Sequence, residues 1–328
     1  MPSSVSAQTI DKDQKPRNIM TAEEGGAGEC WVCGEGSSRT RSRSRLVRGC
    51  ACRGADAGFA HLSCLVQAAK YDADRWDTCP TCKQDFTGDV RLGLARARWE
   101  LHRQRSVGDW QRLNAADGLA SALQDCAGDT AGALPLFVEV LATSRQVDGN
   151  DDVNTMVSMS NLASLHQKMG DYQLALPLFE EALEAQRRTL GEEEADTLRT
   201  ISNIAMLHLR TGNFSLSLPL AEKALAVRQR TLGKEHADTL SSIDNLGLLR
   251  WHMAHGEYVS FHAAEAYEGT CELKDLECAK ELLAEAVKGR SKVLGKAHYL
   301  TLESVRALGY AEQRMDELRP STVHTSTR

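Results

Sequence analysis

The sequence predicts a small domain tied together by cysteine and histidine side chains, followed by an all-α solenoid of repeated helix pairs. Three observations carry this. Seven of the ten cysteines fall between Cys30 and Cys82. A pattern of glycine, proline and threonine recurs every 42 residues from about residue 114. The charge divides between the same two regions: residues 30–112 carry 15 Lys/Arg against 9 Asp/Glu, and residues 113–328 carry 21 against 31.

At 328 residues the chain has room for two domains, each burying its own core. Residues 1–28 are rich in Ser, Gln, Asp, Lys and Gly with few large apolar side chains, a composition that predicts disorder. They lack the apolar stretch of a secretion signal, and no later run approaches the roughly 18 apolar residues a membrane helix needs. The expected location is therefore the cytosol or nucleus, with no membrane partner. In such a reducing compartment, clustered cysteines read as metal ligands rather than disulfides.

The module spans residues 29–88. Its ligand series is Cys30-x2-Cys33-x16-Cys50-x-Cys52-x8-His61-x2-Cys64-x14-Cys79-x2-Cys82. Eight thiolate and imidazole donors are the number that two tetrahedral zinc ions require. Pairs one or two residues apart can chelate from a single turn of chain, and the longer intervals let distant turns meet. Zinc binding worth about 10–16 kcal/mol per structural site would supply most of the folding energy of so short a segment. The basic loop SSRTRSRSRLVR between Cys33 and Cys50 reads as a solvated insertion, too short to signal nucleic-acid binding.

Residues 89–113 have helical spacing, with Val90, Leu94 and Leu101 toward one side and Trp99 near it, and read as a connecting helix. The repeat occupies residues 114–316. Gly128, Gly170 and Gly212 keep its period, as do Pro135, Pro177 and Pro219, then Gly149, Gly191 and Gly233, and Thr155, Thr197 and Thr239. The two clearest units, closing at Leu190-Gly191 and Leu232-Gly233, each hold two helical patterns around a Gly-Asp or Gly-Asn turn, and a glycine at the close suits a left-handed helix end. Asp196 and Asp238 are expected as N-caps. A helix pair cannot bury its apolar stripe alone, so neighbouring units must stack. The fourth unit closes at Leu294-Gly295, 62 residues after Leu232-Gly233, which puts some twenty extra residues near 257–276, between its two helices or extending one of them. A last helix near 300–316 is expected to cap the stack, and residues 317–328 to be disordered. Each recurring proline requires either a kink or a later helix start, since proline costs about 3 kcal/mol in a helix interior.

The run TLGKEHADTLSSIDNLGLL and the Gly-Asp-Tyr and Ala-Leu-Pro-Leu-Phe segments before it resemble the tetratricopeptide repeats of kinesin light chains. Asn161, Asn203 and Asn245 recur at the period inside first helices, where a poor helix former and poor core residue is unexpected. In tetratricopeptide arrays that position lines the concave face, and the resemblance implies hydrogen bonds to a bound peptide backbone. Two helical turns on lie Lys168 and Arg210, with Trp251 and His252 near the matching place in the next unit. These residues sketch a groove with amide donors and a basic rim, fit for an acidic or extended peptide. His166 and His208 read as packing residues.

The cysteine–histidine order resembles the RING-CH class of ubiquitin ligases, in which ligand pairs interleave. That resemblance implies that Cys30, Cys33, His61 and Cys64 hold one zinc, and Cys50, Cys52, Cys79 and Cys82 the other. It also implies a surface for a ubiquitin-conjugating enzyme: Val32 in the first ligand loop, Pro80 in the second, and Lys83 after the last ligand, toward ubiquitin. No residue would act covalently. RING-CH domains usually carry tryptophan four residues after the sixth ligand, and here that residue is Ala68. The expected function is an E3 ubiquitin ligase that recruits substrate through its repeats. A non-catalytic zinc and tetratricopeptide adaptor is the first alternative. A histone reader of the PHD class is the second, disfavoured by the eight-residue gap before His61 and by Trp76 lying three residues, not two, before Cys79.

Overall fold

A computed structural model of the chain describes residues 30–33, 46–48, 59–255, 273–296 and 298–318. The expectations for residues 1–28, for Cys50 and Cys52, and for most of the insertion lie outside these. The described residues form two compact units: one reaches Ser106 and includes Asn114–Asp129, and the other comprises Val107–Leu113 and the chain from Thr130 onward.

The first unit is small and mixed. Strands β1 (Leu46–Val47) and β2 (Ala60–His61) pair antiparallel, with Leu46 opposite His61. Helix α1 (Leu62–Tyr71) leaves β2 directly, a short 3₁₀ turn follows at Ala73–Trp76, and α2 runs from Gly88 to His102. The core gathers Cys30, Leu46, Leu65, Trp76, Cys79 and Phe86 with Val90 and Leu94 of α2. Helix α2 thus belongs to this core through the two apolar positions read from its spacing. A Cβ on Gly93 would fall 2.5 Å from Leu62 Cδ2, so glycine lets α2 lie close against α1. The stretch 89–113 is not one helix: α2 stops at His102, α3 starts at Trp110 and ends at Ala122, and Leu101, in the last turn of α2, is exposed. A single wide turn, Leu123–Ala127, extends α3 and ends at Gly128 with φ +64°. That turn packs on α2, where Arg91 pairs with Asp125 at 3.1 Å.

The second unit is all-α: α4 (Thr130–Val147), α5 (Val153–Met169), α6 (Tyr172–Thr189), α7 (Ala195–Arg210), α8 (Phe214–Thr231), α9 (Ala237–Ala254), α10 (Leu273–Val293) and α11 (Tyr299–Leu318). Each helix packs on the one before and after it, and α5, α7, α9 and α11 also touch in succession. This is a solenoid of helix pairs with α5, α7, α9 and α11 on its inner side. The period shows in burial: Thr155, Thr197, Thr239 and Thr301 are all fully buried. Gly191 and Gly295, at φ +97° and +94°, accept through their carbonyls from the hydroxyls of Thr197 and Thr301. The left-handed turn and the next helix are tied together in this way.

Three details refine the sequence reading. Pro135, Pro177 and Pro219 each stand sixth in their helix, so the helices start before the proline and forgo one backbone bond there. The cap positions of α7 and α9 fall on Glu194 and His236, not on Asp196 and Asp238. Both aspartates stand in the first turn, where a carboxylate complements the helix dipole. The insertion separates α9 from α10, and Leu273–Asp275 lengthen α10 relative to α8.

Candidate metal centre and inner helix face

Strand β2 delivers His61 and helix α1 delivers Cys64 one turn later, while the Cys30–Cys33 turn approaches through a bond from the Trp31 amide to the Phe59 carbonyl. The donor atoms of Cys30, Cys33, His61 and Cys64 lie within 4.8 Å of one another. Nδ1 of His61 is 3.5 Å from Cys33 Sγ and 3.8 Å from Cys64 Sγ. Bond lengths of about 2.3 Å to sulfur and about 2.1 Å to nitrogen set a tetrahedral sulfur–nitrogen edge of about 3.6 Å. The observed spacing fits one four-coordinate ion of that size. Cys30 and His61 are buried, and the His61 amide donates to Cys30 Sγ at 3.4 Å. Three thiols so close perturb one another. Burial pushes Cys64 up to about 12, reinforced by the neighbouring Cys33 and Cys30 sulfurs. Cys30 is held at about 7: burial opposes its ionisation, but amide bonds from His61, Cys33 and Val32 outweigh it. The cluster is a Cys3His donor set suited to one metal ion.

The second expected ligand set is seen only in part. Cys79 is buried and Cys82 half-buried, in a tight hairpin closed by Cys79 N to Gln84 O at 2.8 Å and Lys83 N to Cys79 O at 2.9 Å. Lys83 takes φ +58°, a conformation costly for a residue with a Cβ and fixed here by those two bonds. Cys50 and Cys52, which would complete the set, lie outside the described residues. Of the expected enzyme-contact residues, Val32 and Lys83 are exposed and Pro80 is half-buried. Trp31 beside Val32 is also exposed, giving an apolar pair on the surface of the first ligand turn. Trp76 is buried in the core.

On the solenoid, Asn161, Asn203 and Asn245 occupy α5, α7 and α9, the helices that touch in succession, and all three are half-buried. Asn245 lines a cavity of about 10 Å3 with Ser202, Ser217 and Ser242, which is room for one water. Lys168 and Arg210 are exposed at the ends of α5 and α7. The matching places in α9 hold no exposed cation to extend the expected rim. Trp251 and His252 are buried there, and burial, with His255 and Arg210 adding to it, holds His252 down at about 3, so it is neutral. His208 is half-buried in an open cleft against Glu180 and Leu183, and burial lowers its pKa despite Glu180.

Sequence reasoning missed a buried polar column. Ser144, Gln186, Arg228 and Arg290 hold equivalent positions in successive second helices, and all are buried. Arg228 donates to Ser202 and Ser242 at 3.0 and 2.6 Å. Arg290 pairs with Asp244 at 3.0 Å and donates to Ser304 at 2.6 Å. Neither amide atom of Gln186 has a partner among the described residues. The signal was present in the period: Ser202 and Asp244 also stand 42 residues apart.

Family models of the tetratricopeptide repeat match residues 111–188 and 197–238. No curated protein matches the chain. Among solved structures, a kinesin-light-chain-type protein of Podospora anserina with nearly identical TPR-like repeats is 22% identical, covering 61% of this chain and 86% of that one, with a TM-score of 0.43. BtubC of P. vanneervenii is 18% identical over 81% of this chain and 97% of its own, at a TM-score of 0.41. The described helices include none long and apolar enough to cross a membrane. The chain carries tetratricopeptide repeats, architecture built for protein interaction, beside a cluster of three cysteines and one histidine.

Proposed function

We propose that this chain is a zinc-structured E3 ubiquitin ligase, in which the cysteine module engages a conjugating enzyme and the solenoid engages the substrate. One observation carries the proposal: the donors of Cys30, Cys33, His61 and Cys64 converge while Val32, in the same turn, stays exposed. A metal there would fix that turn, and with it the apolar pair Trp31 and Val32, as a rigid contact. In this reading Cys50, Cys52, Cys79 and Cys82 take a second zinc, and Pro80 and Lys83 extend the contact toward the enzyme and its ubiquitin. The chain's own residues hold and orient; none forms a bond with ubiquitin. Asn161, Asn203 and Asn245 with Lys168 and Arg210 supply a groove for an acidic or extended peptide.

A second reading is favoured by Ala68. It is half-buried on α1 where RING-CH domains carry tryptophan, and Trp76 is committed to the core. A module lacking that aromatic contact would serve as an adaptor without ligase activity. Autoubiquitination with a panel of conjugating enzymes separates the two: wild type is expected to be active, with Val32→Ala weakened and Cys50→Ser inactive. Inactivity of the wild type with every enzyme sinks the ligase and leaves the adaptor. Asn203→Ala with Arg210→Ala is expected to weaken a partner captured by the wild type, and unchanged capture excludes the groove.

A further inference from the structure

The repeat register exposes an unfilled position at the last helix. Met156, Leu198, Leu240 and Leu302 form one column, and Met159, Ile201, Ile243 and Val305 the next. The first three members of each column are at most 2% exposed, whereas Leu302 and Val305 are 48% and 46% exposed. What covers the earlier members is the second helix of the same unit. Helix α10 lies so close to α9 that a Cβ on Gly289 would come within 2.2 Å of Leu240 Cδ2. Among the described residues no helix follows α11, and its outer face keeps the apolar residues that such a helix would bury.

A third column says what chemistry belongs there. Ser202, Asp244 and Arg306 occupy equivalent positions on α7, α9 and α11. Ser202 and Asp244 receive Arg228 and Arg290 from the second helix of their own unit. Arg306 reverses the sign: it is exposed and makes no ion pair among the described residues. A further helix of this chain's own pattern would set arginine against arginine.

We propose that the outer face of α11 docks an amphipathic helix from a partner protein, seated where the second helix of a repeat would lie. That helix lays leucine and alanine on Leu302 and Val305 and offers a carboxylate to Arg306. The repeat's shape admits the partner and the reversed charge rejects a copy of the chain's own α8 or α10.

The test uses the full chain and a labelled synthetic peptide spanning residues 273–293, made with the native Arg290 and with Arg290→Glu. The Glu peptide is expected to bind about tenfold more tightly, the worth of one charge-assisted contact. Arg306→Glu in the chain is expected to reverse that order, and Leu302→Asp to abolish both. Since Leu302 and Arg306 are exposed, both variants should melt as the wild type does. Equal binding of the two peptides, no binding at millimolar concentration, or indifference to Leu302→Asp overturns the proposal. So does a dimer of the unliganded chain that Leu302→Asp dissolves, because a second copy would then be the occupant.

Discussion

Replacing Asp244 by alanine isolates a buried ion pair of the solenoid. The side chain of Arg290 is 5% exposed and that of Asp244 12%, at 3.0 Å. Without the carboxylate, Arg290 keeps the Ser304 hydroxyl at 2.6 Å, the Leu300 carbonyl at 3.1 Å and the Ser241 hydroxyl at 3.4 Å, but no counter-charge. Removing one partner of a buried pair costs about 3–5 kcal/mol. The three surviving hydrogen bonds place this case at the lower end, about 3 kcal/mol. With a urea dependence of about 3 kcal/mol per molar, the unfolding midpoint followed by circular dichroism should fall by about 1 M. Asp244→Ala combined with Arg290→Met removes both charges and leaves an apolar side chain of similar length. It should recover at least half of that loss, since apolar replacement of a buried pair is often nearly neutral. Equal midpoints for the single and double variants would refute the reasoning, because the penalty could not then be the stranded guanidinium.

Three further outcomes follow from the same structure. His252 is neutral when folded, with a pKa of about 3, and gains a proton on unfolding near pH 6.5, so its contribution is intact above that value and is lost as pH falls toward 3. The melting temperature of the wild type should therefore drop more steeply between pH 6.5 and 4 than that of His252→Phe, and parallel curves would contradict the assignment. Gly289→Ala should cost about 1–3 kcal/mol by forcing a methyl onto Leu240, with Leu240→Ala restoring part of it in chemical denaturation. Cys33→Ser should lower the zinc content of the purified chain by about one equivalent, measured by elemental analysis; unchanged content would remove that thiol from the ligand set.

The solenoid was legible because a helix pair repeats its packing needs, so columns such as Thr155, Thr197 and Thr239 appear in the sequence before any helix is placed. Spacing marked the eight cysteine and histidine side chains as ligands, because few other roles require such side chains at short paired intervals. The grouping of Cys30 and Cys33 with His61 and Cys64 came from the resemblance to RING-CH domains. What spacing could not give was local backbone geometry. Asp196 looked like a helix cap, yet the chain enters α7 at Glu194. Nor could it separate α2 from α3, since the arginine-rich pattern runs on past His102 while the backbone turns. The buried arginines escaped notice because Arg228 and Arg290 end helices rich in surface arginine and lysine, and only alignment by period distinguishes them from their neighbours.

The polar column has a consequence for assembly order during folding. Modules this alike risk docking on the wrong neighbour, because their oily surfaces are nearly interchangeable. Here two successive junctions carry different polar contacts: an arginine between two serines, and an arginine against an aspartate. Slipping by one module would strand Arg290 without its anion. A misassembled array is penalised where Arg290 would lose its carboxylate, so the interior helps to encode the order of the units.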